Sequence, residues 1–240
     1  MSSKLSRDFV VPAFCISTFA SSVQQLEKRI SKARSYSPFF IEIRLDYLKS
    51  PDLEGMLHIK KLLSGNEILT LRSSDEGGAG NFEEKVRIQG LHEIASHVKP
   101  RYMDVEVRTL TSHPDLARDI QRAGINLIAS SHDFKNTESA SELVTLVKRM
   151  SKIDPLYAVK VVRNAAEFKD NYSLLSLYRH HKKRKTALIS FCAGQLGIFS
   201  RLVCTQFGSP FTYVSLPGAA TAPGQLDIET VRALFSSRKE

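Results

Sequence analysis

The stretch Phe39-Phe40-Ile41-Glu42-Ile43-Arg44-Leu45-Asp46 decides the fold. Its apolar residues favour a β-strand, and its three charged residues recur at every second position. Alternate side chains of a strand point to one face, so Glu42, Arg44 and Asp46 share a face. In a closed parallel barrel that face is the interior, where charged groups must pair or bind a ligand. An exposed strand face with alternating charges is the alternative.

Similar β-rich apolar runs alternate with stretches of helical periodicity along the whole chain. The predicted strands are Val10–Ile16, Phe39–Leu45, Ile68–Leu71, Tyr102–Val107, Asn126–Ala129, Tyr157–Val162, Ala187–Phe191 and Thr212–Leu216. The predicted helices lie near Ser22–Ala33, Leu53–Leu62, Phe82–His97, Pro114–Ala123, Ser139–Ser151, Ala165–His180, Ile198–Phe207 and Asp227–Phe235. Ser139 and Glu142 have the spacing of a capping box.

Eight strand–helix units in 240 residues average 30 residues each, close to the minimum for a β-α-β repeat and to the usual size of an eightfold barrel. We therefore predict an α/β fold, a (β/α)8 TIM barrel, in which residues 1–240 form a single domain. A doubly wound open sheet is the alternative, but its G-x-G-x-x-G fingerprint is absent from the sequence.

The composition is that of a globular protein, with 42% hydrophobic and 25% charged residues. The three cysteines cannot all pair within one chain and form no C-x-x-C motif, which favours a reducing compartment, and we expect a cytoplasmic protein. No run of 18 apolar residues could span a membrane. Lys4 and Arg7 followed by an apolar run loosely resemble a signal peptide, but Asp8 and Pro12 interrupt that pattern, so a buried first strand is preferred.

The formal net charge of +9 raises the question of nucleic-acid binding. Five of these charges lie in the segment Arg179–Lys185, and without them the net charge is +4. A basic run after a helix is usually a solvated helix end, and no nucleic-acid-binding motif accompanies it. We therefore expect neither a nucleic-acid nor a membrane partner.

Polar residues collect at the predicted carboxyl ends of the strands, where a parallel barrel builds its active site. Arg72 follows strand three and leads into a glycine-rich loop that contains Glu76. Asp104, Glu106 and Arg108 alternate along strand four and predict a second inward set of charges.

Lys160 lies in the apolar run Tyr157-Ala158-Val159-Lys160-Val161-Val162. A lysine in such a run is rarely buried unless it is paired, and desolvation favours the neutral amine, which can attack a carbonyl carbon. A lysine that reaches solvent from an edge strand is the alternative. His132 on the neighbouring strand would be a suitable proton carrier, although a lone histidine is more often a loop or core residue.

Three further polar residues follow the last two strands. Arg201 can hold a carboxylate bidentately, and Thr221 and Gln225 can bind hydroxyl groups. Each residue type is common, and only their placement at successive strand ends is suggestive.

Together these residues resemble the type I 3-dehydroquinate dehydratase family in its order of motifs over nearly the whole chain. The matching motifs are Glu42-x-Arg44-x-Asp46, Arg72 with Glu76-Gly77-Gly78, Ser131-His132-Asp133-Phe134, Lys160, Gly197-x-x-Ser200-Arg201 and Ala222-Pro223-Gly224-Gln225. Thr221 departs from the family, which commonly has serine there, but both residues carry a hydroxyl group.

The resemblance implies a lyase that converts 3-dehydroquinate to 3-dehydroshikimate in the shikimate pathway, without a cofactor or a metal. It implies that Lys160 forms a Schiff base, that His132 is the general acid and base, and that Glu76 orients His132. Arg201 would hold the substrate carboxylate. The residues implied to bind hydroxyl groups or fix the site are Glu42, Arg44, Arg72, Thr221 and Gln225. Members of the family often form dimers, so a homodimer is compatible with the resemblance.

Two other functions remain open at this point. A Schiff-base aldolase would use the same lysine but would cleave a carbon–carbon bond. A basic nucleic-acid-binding module would use Arg179–Lys185 and leave Lys160 without a role.

Overall fold

The computed structural model describes residues 12–49, 52–135, 138–154, 156–182 and 185–236. Its strands are β1 (Phe14–Phe19), β2 (Phe40–Arg44), β3 (Glu67–Thr70), β4 (Tyr102–Glu106), β5 (Asn126–Asp133), β6 (Ala158–Asn164), β7 (Ala187–Ala193) and β8 (Thr212–Ser215). Its helices are α1 (Val23–Arg34), α2 (Leu53–Leu62), α3 (Glu84–Glu93), α4 (Val107–Ser112), α5 (Pro114–Arg122), α6 (Ala140–Met150), α7 (Asp170–His181), α8 (Ile198–Phe207) and α9 (Ile228–Ser236).

The eight strands form one parallel sheet in the order β7-β6-β5-β4-β3-β2-β1-β8. The last strand pairs with the first, as Cys15 opposite Tyr213, so the sheet curls into a nearly closed barrel. The predicted (β/α)8 barrel is confirmed, and the doubly wound alternative is wrong. None of the helices in the described ranges is long and apolar enough to cross a bilayer.

Even-numbered strands build the barrel interior in layers, as parallel eightfold barrels commonly do. The lowest layer is aromatic: the ring of Phe40 lies 4.8 Å from that of Tyr102 and 5.0 Å from that of Phe211, and Tyr157 lies 5.1 Å from Tyr102. The next layer contains Glu42, Asp104 and Tyr213, each two residues after its aromatic residue, and Lys160, three residues after Tyr157. An apolar floor therefore supports a charged layer that opens toward the carboxyl ends of the strands.

The helices close the outside of the barrel with amphipathic faces. In α6, for example, Leu143, Val147 and Met150 are buried. The predicted capping box of this helix is present, because the Ser139 side chain accepts from the Glu142 backbone N–H and the Glu142 carboxylate accepts from the Ser139 backbone N–H.

Several element bounds differ from the prediction for local reasons. β5 continues to Asp133, so His132 lies on the strand. β4 ends at Glu106 and α4, which was not predicted, begins at Val107. The inward placement of Arg108 is therefore wrong: on the helix its side chain is 76% exposed and pairs with Asp75.

Two of the predicted helices also differ in their bounds, α3 and α7. The predicted helix Phe82–His97 is divided into α3 and a π-helical turn, Ile94–Val98. α7 begins only at Asp170, whose carboxylate accepts from the backbone N–H groups of Ala166 and Glu167 and holds a turn before the helix.

The signal-like residues Lys4 to Val11 lie outside the described residues, as do Lys183 and Arg184 of the basic run.

Candidate active site

A cavity of about 410 Å³ opens at the carboxyl ends of the strands. All of the predicted site residues line it: Glu42, Arg44, Arg72, Glu76, His132, Lys160, Arg201, Thr221 and Gln225. They come from strands, from loops and, for Arg201, from α8, and lie far apart in the sequence, so the fold brings them together.

Lys160 lies near the middle of β6, between β5 and β7, and is only 4% exposed. Its Nζ atom donates to Asp104 Oδ2 at 2.9 Å and lies 3.5 Å from Glu42 Oε1. The same Nζ atom lies 4.1 Å from the centroid of the Tyr213 ring. The edge-strand alternative is therefore wrong. The lysine is buried because two carboxylates and an aromatic face compensate its charge.

Asp104 is itself held firmly by its neighbours. Its Oδ1 atom accepts from Arg72 Nη2 at 2.8 Å and from Ser130 Oγ at 2.6 Å. Burial acts to raise the pKa of Asp104, but the charges of Arg72 and Lys160 outweigh it and lower the pKa to about 2. Asp104 is thus a fixed anion beside Lys160 at neutral pH.

Arg72 connects this anion to the next strand end. Its Nη1 atom donates to Glu106 Oε1 at 3.1 Å and to Ser130 Oγ at 2.7 Å. Glu106 Oε2 then accepts from Arg87 Nη1 at 3.0 Å. The two inward charges of β4 are therefore both paired, and Arg72 has much of its hydrogen-bonding capacity occupied within the protein.

Glu42 and Arg44 occupy successive inward positions of β2. Glu42 Oε2 accepts from Ser17 Oγ at 2.7 Å, and Glu42 Oε1 accepts from Thr70 Oγ1 at 3.2 Å. Arg44 donates to Asp46 through Nε at 2.8 Å and Nη2 at 2.7 Å, a bidentate pair. The predicted burial of Glu42, Arg44 and Asp46 is confirmed, and all three are paired. The shared strand face holds only for Glu42 and Arg44, because β2 ends at Arg44 and Asp46 lies in the 3-10 turn Leu45–Tyr47.

His132 and Glu76 form the second ionisable group of the cavity. Glu76 Oε2 accepts from the His132 backbone N–H at 2.7 Å and lies 3.0 Å from His132 Nδ1. Burial, followed by the charges of Arg72 and Lys160, lowers the pKa of His132 well below its usual value. Burial also raises the pKa of Glu76 to about 7, against the opposing effect of Arg72. The histidine is consequently a neutral base that Glu76 holds by two contacts.

Arg201 enters the cavity from the first turn of α8. Ser200 fastens this turn to β7, because its Oγ atom accepts from the Cys192 backbone N–H at 2.8 Å and donates to Gly197 O at 3.1 Å. A side chain at Gly197 would meet the Cys192 backbone at 2.6 Å, which explains the glycine at this close approach.

The Arg201 guanidinium is 5% exposed and has no carboxylate within ion-pair distance among the residues that the structure describes. Its buried Nε atom has no hydrogen-bond partner there. Burial lowers the pKa of Arg201 to about 10, so the group is still charged at neutral pH. Arg201 is a buried cation that faces the cavity and can accept an anionic ligand.

Thr221 and Gln225 belong to the loop that follows β8. Gln225 Oε1 accepts from the Thr221 backbone N–H at 2.7 Å and from Thr221 Oγ1 at 2.9 Å. Gly224 has φ +72° and its Cα lies so near Gly194 O that a side chain would clash at 2.1 Å. The loop is therefore folded back against the end of β7, beside the Arg201 helix.

Sequence reasoning did not single out four residues that complete the site. Ser17 fixes Glu42, and Ser130 fixes Asp104. Tyr213 and Phe191 lie under Lys160 and Arg201 respectively. Strand alternation on β8 could have identified Tyr213 as an inward residue, but an aromatic residue in a buried strand looks like ordinary core.

These observations define an α/β-barrel enzyme with a cavity at the carboxyl ends of the strands. The cavity combines a buried lysine, a neutral histidine and an arginine that has no carboxylate partner among the described residues. Comparison with known proteins identifies it further. The sequence model of the type I 3-dehydroquinase family matches residues 14–240, and the chain belongs to this family.

Individual relatives agree with this assignment. The chain is 34% identical to the 3-dehydroquinate dehydratase of Thermococcus gammatolerans over 206 residues, which cover 86% of this chain and 91% of the relative. It is 33% identical to that of Dehalococcoides mccartyi strain 195 over 229 residues, which cover 94% and 95% of the two chains. The crystal structure of 3-dehydroquinate dehydratase from Geobacillus kaustophilus superposes with a TM-score of 0.83 at 21% identity, covering 95% of this chain and 93% of that one.

Proposed function

We propose that this chain dehydrates 3-dehydroquinate to 3-dehydroshikimate through a Schiff base at Lys160, with His132 as general acid and base. Membership of the type I 3-dehydroquinase family supports the reaction. The observation that supports this mechanism is the meeting of Lys160, His132 and Arg201 in one cavity of about 410 Å³.

The first step is imine formation. The ammonium group of Lys160 loses a proton, with Asp104 and Glu42 within reach, and the free amine adds to the substrate ketone. Loss of the ketone oxygen as water then gives a protonated imine. In balance, one ammonium group and one ketone give one iminium and one water, so the positive charge near the two carboxylates is conserved.

The second step is proton transfer through His132. The iminium withdraws electrons, so the C–H bond beside it becomes acidic, and the neutral imidazole removes that proton to give an enamine. The enamine expels the substrate hydroxyl, to which protonated His132 returns the proton, and water leaves. Hydrolysis of the conjugated iminium releases the product and restores Lys160. Glu76 keeps the imidazole in position through its contact with Nδ1.

The remaining residues bind and fix the substrate. Arg201 holds the carboxylate, because it is the buried cation without an acidic partner in the described part of the cavity wall. Gln225 and Thr221 contact hydroxyl groups from the loop after β8. Glu42, Arg44 and Arg72 contact Lys160, Asp46 and Asp104 respectively, and they fix the positions of the groups around Lys160.

The decisive experiment is incubation of the purified chain with 3-dehydroquinate while the ultraviolet absorbance of the conjugated product is followed. Formation of 3-dehydroshikimate without carbon–carbon cleavage products supports the proposal. Cleavage products would favour the aldolase alternative. Retention on DNA that falls steeply with salt, without dehydration, would favour the nucleic-acid alternative.

We also propose that the protein functions in the cytoplasm. Cys15, Cys192 and Cys204 are all buried as free thiols, which fits a reducing compartment. Mass spectrometry of alkylated protein from cells would detect any disulfide that contradicts this.

A further inference from the structure

Two of the cations that line the cavity, Lys160 and Arg201, are each placed over an aromatic ring of the barrel interior. Lys160 Nζ lies 4.1 Å from the Tyr213 centroid, and Arg201 Cζ lies 4.4 Å from the Phe191 centroid. The two rings are neighbours, with centroids 6.1 Å apart. Lys160 also has two carboxylate partners. For Arg201, in contrast, the described residues show no carboxylate within ion-pair distance, and the Phe191 ring is the contact that compensates the charge, while Glu42 acts only from further away.

This difference matters for ligand binding. A carboxylate that paired with Arg201 would occupy the same N–H fork that a substrate carboxylate needs, and the two anions would compete. An aromatic face attracts the guanidinium from one side and leaves the N–H groups at its edge unoccupied. The stacking contact can therefore keep a buried arginine in place without satisfying its hydrogen bonds.

The surroundings of Phe191 favour such a role. The residue is on β7, 2% exposed, and it lines the cavity. Its neighbours along the strand are tied to the outer helices: the Ser190 side chain donates to Leu174 O in α7, and the Cys192 backbone N–H donates to Ser200 Oγ in α8. The strand thus fixes the ring from behind, while the first turn of α8 brings Arg201 over its face.

We propose that Phe191 is a positioning residue that holds the Arg201 guanidinium by a cation–π contact, so that the N–H fork stays free for a carboxylate of the substrate. The inference rests on the proposed function for the identity of the ligand. It goes beyond that function by assigning carboxylate selectivity to an arginine–aromatic pair rather than to the arginine alone.

The test replaces Phe191 with mono-, di- and trifluorophenylalanine, which keep the shape of the ring and progressively weaken its negative face. We expect KM for 3-dehydroquinate to rise stepwise, by about 3- to 30-fold across the series, while kcat changes much less. In an Arg201→Met background the same series should leave KM flat. This second series separates the stacking contact from a general loss of packing.

A matched control uses the same fluorinated residues at Phe211. That ring is fully buried and packs 5.4 Å from Tyr213, but it does not line the cavity. We expect no stepwise change in KM there. A flat or falling KM in the Phe191 series, in an enzyme that dehydrates 3-dehydroquinate, would overturn the inference. Absence of dehydration by the unmodified chain would instead overturn the proposed function.

Discussion

Asp104 Oδ2 lies 2.9 Å from Lys160 Nζ, while its other oxygen accepts hydrogen bonds from Arg72 and Ser130. The aspartate therefore cannot follow the lysine if the amine moves toward a ligand. A fixed anion favours any state in which the Lys160 nitrogen is positive and near its present place. This relationship accounts for a buried lysine and links its chemistry to the wider network of the barrel interior.

The first prediction concerns covalent trapping. Borohydride added together with 3-dehydroquinate should reduce the imine to a secondary amine, inactivate the enzyme and add ligand mass to the peptide that contains Lys160. Borohydride alone should do neither. Lys160→Ala should abolish trapping and nearly all activity, as measured by mass spectrometry and the ultraviolet assay.

Lys152→Ala is the matched control for this experiment. Lys152 is exposed and lies beyond the end of α6, away from the cavity lining. We expect trapping and turnover close to those of the unmodified chain. Ligand mass on a peptide without Lys160, or full activity in Lys160→Ala, would contradict the mechanism.

The second prediction concerns His132. His132→Ala should slow turnover by about 10²- to 10⁴-fold or more, the usual range for loss of a positioned acid–base group. Imine formation should be partly retained, so borohydride should still label Lys160. Near-normal turnover in the steady-state assay would remove the histidine from the mechanism.

The third prediction concerns Arg201. Arg201→Ala should mainly raise KM, because a carboxylate contact made in both the ground state and the transition state contributes to uniform binding. Steady-state kinetics over a range of substrate concentrations would separate KM from kcat. An unchanged KM with a large loss of kcat would contradict the assignment.

The period of the charged residues made much of the site predictable from the sequence. Glu42 and Asp104 alternate with apolar residues, so their inward direction follows from strand geometry alone. The prediction failed at Arg108 because strand alternation applies only while the strand lasts, and β4 ends at Glu106. The strand end depends on the packing of α4, which no short-range pattern in this segment indicates.

The partners of the charged residues could not be predicted from the sequence. Nothing in the spacing says that Arg72 bridges Asp104 and Glu106, or that Arg201 lies over Phe191 rather than beside a carboxylate. These contacts join residues far apart in the chain and depend on strand register and on the angle at which each helix packs. The family resemblance named the residues, whereas the structure shows which partners each one has.

A fourth prediction compares two arginines around Glu106. Arg87 is 3% exposed and donates hydrogen bonds to Glu84, Glu106 and Thr109. Arg87→Met should therefore lower the free energy of unfolding by about 3 kcal/mol. This is the lower end of the range for breaking a buried ion pair, because Arg72 still contacts Glu106. Arg108→Met should change the free energy of unfolding by less than about 1 kcal/mol, because its pair with Asp75 is exposed. Urea unfolding of both variants would measure the difference, and equal losses would contradict the network.

The last prediction concerns acid stability. The pKa of Asp104 is about 2 in the folded protein, below the ordinary value of 3.8, so the folded state binds fewer protons between these values than the unfolded state. The resulting stability is fully present above about pH 4 and is lost as the pH falls toward 2. Asp104→Asn removes this titrating group. Between pH 4 and pH 2, the free energy of unfolding of the unmodified chain should therefore decrease by about 2 kcal/mol more than that of the variant. Urea unfolding at several pH values between 2 and 5 would measure both curves. Parallel curves, with the variant less stable by a constant amount, would show that the carboxylate of Asp104 is not held ionised by Arg72 and Lys160.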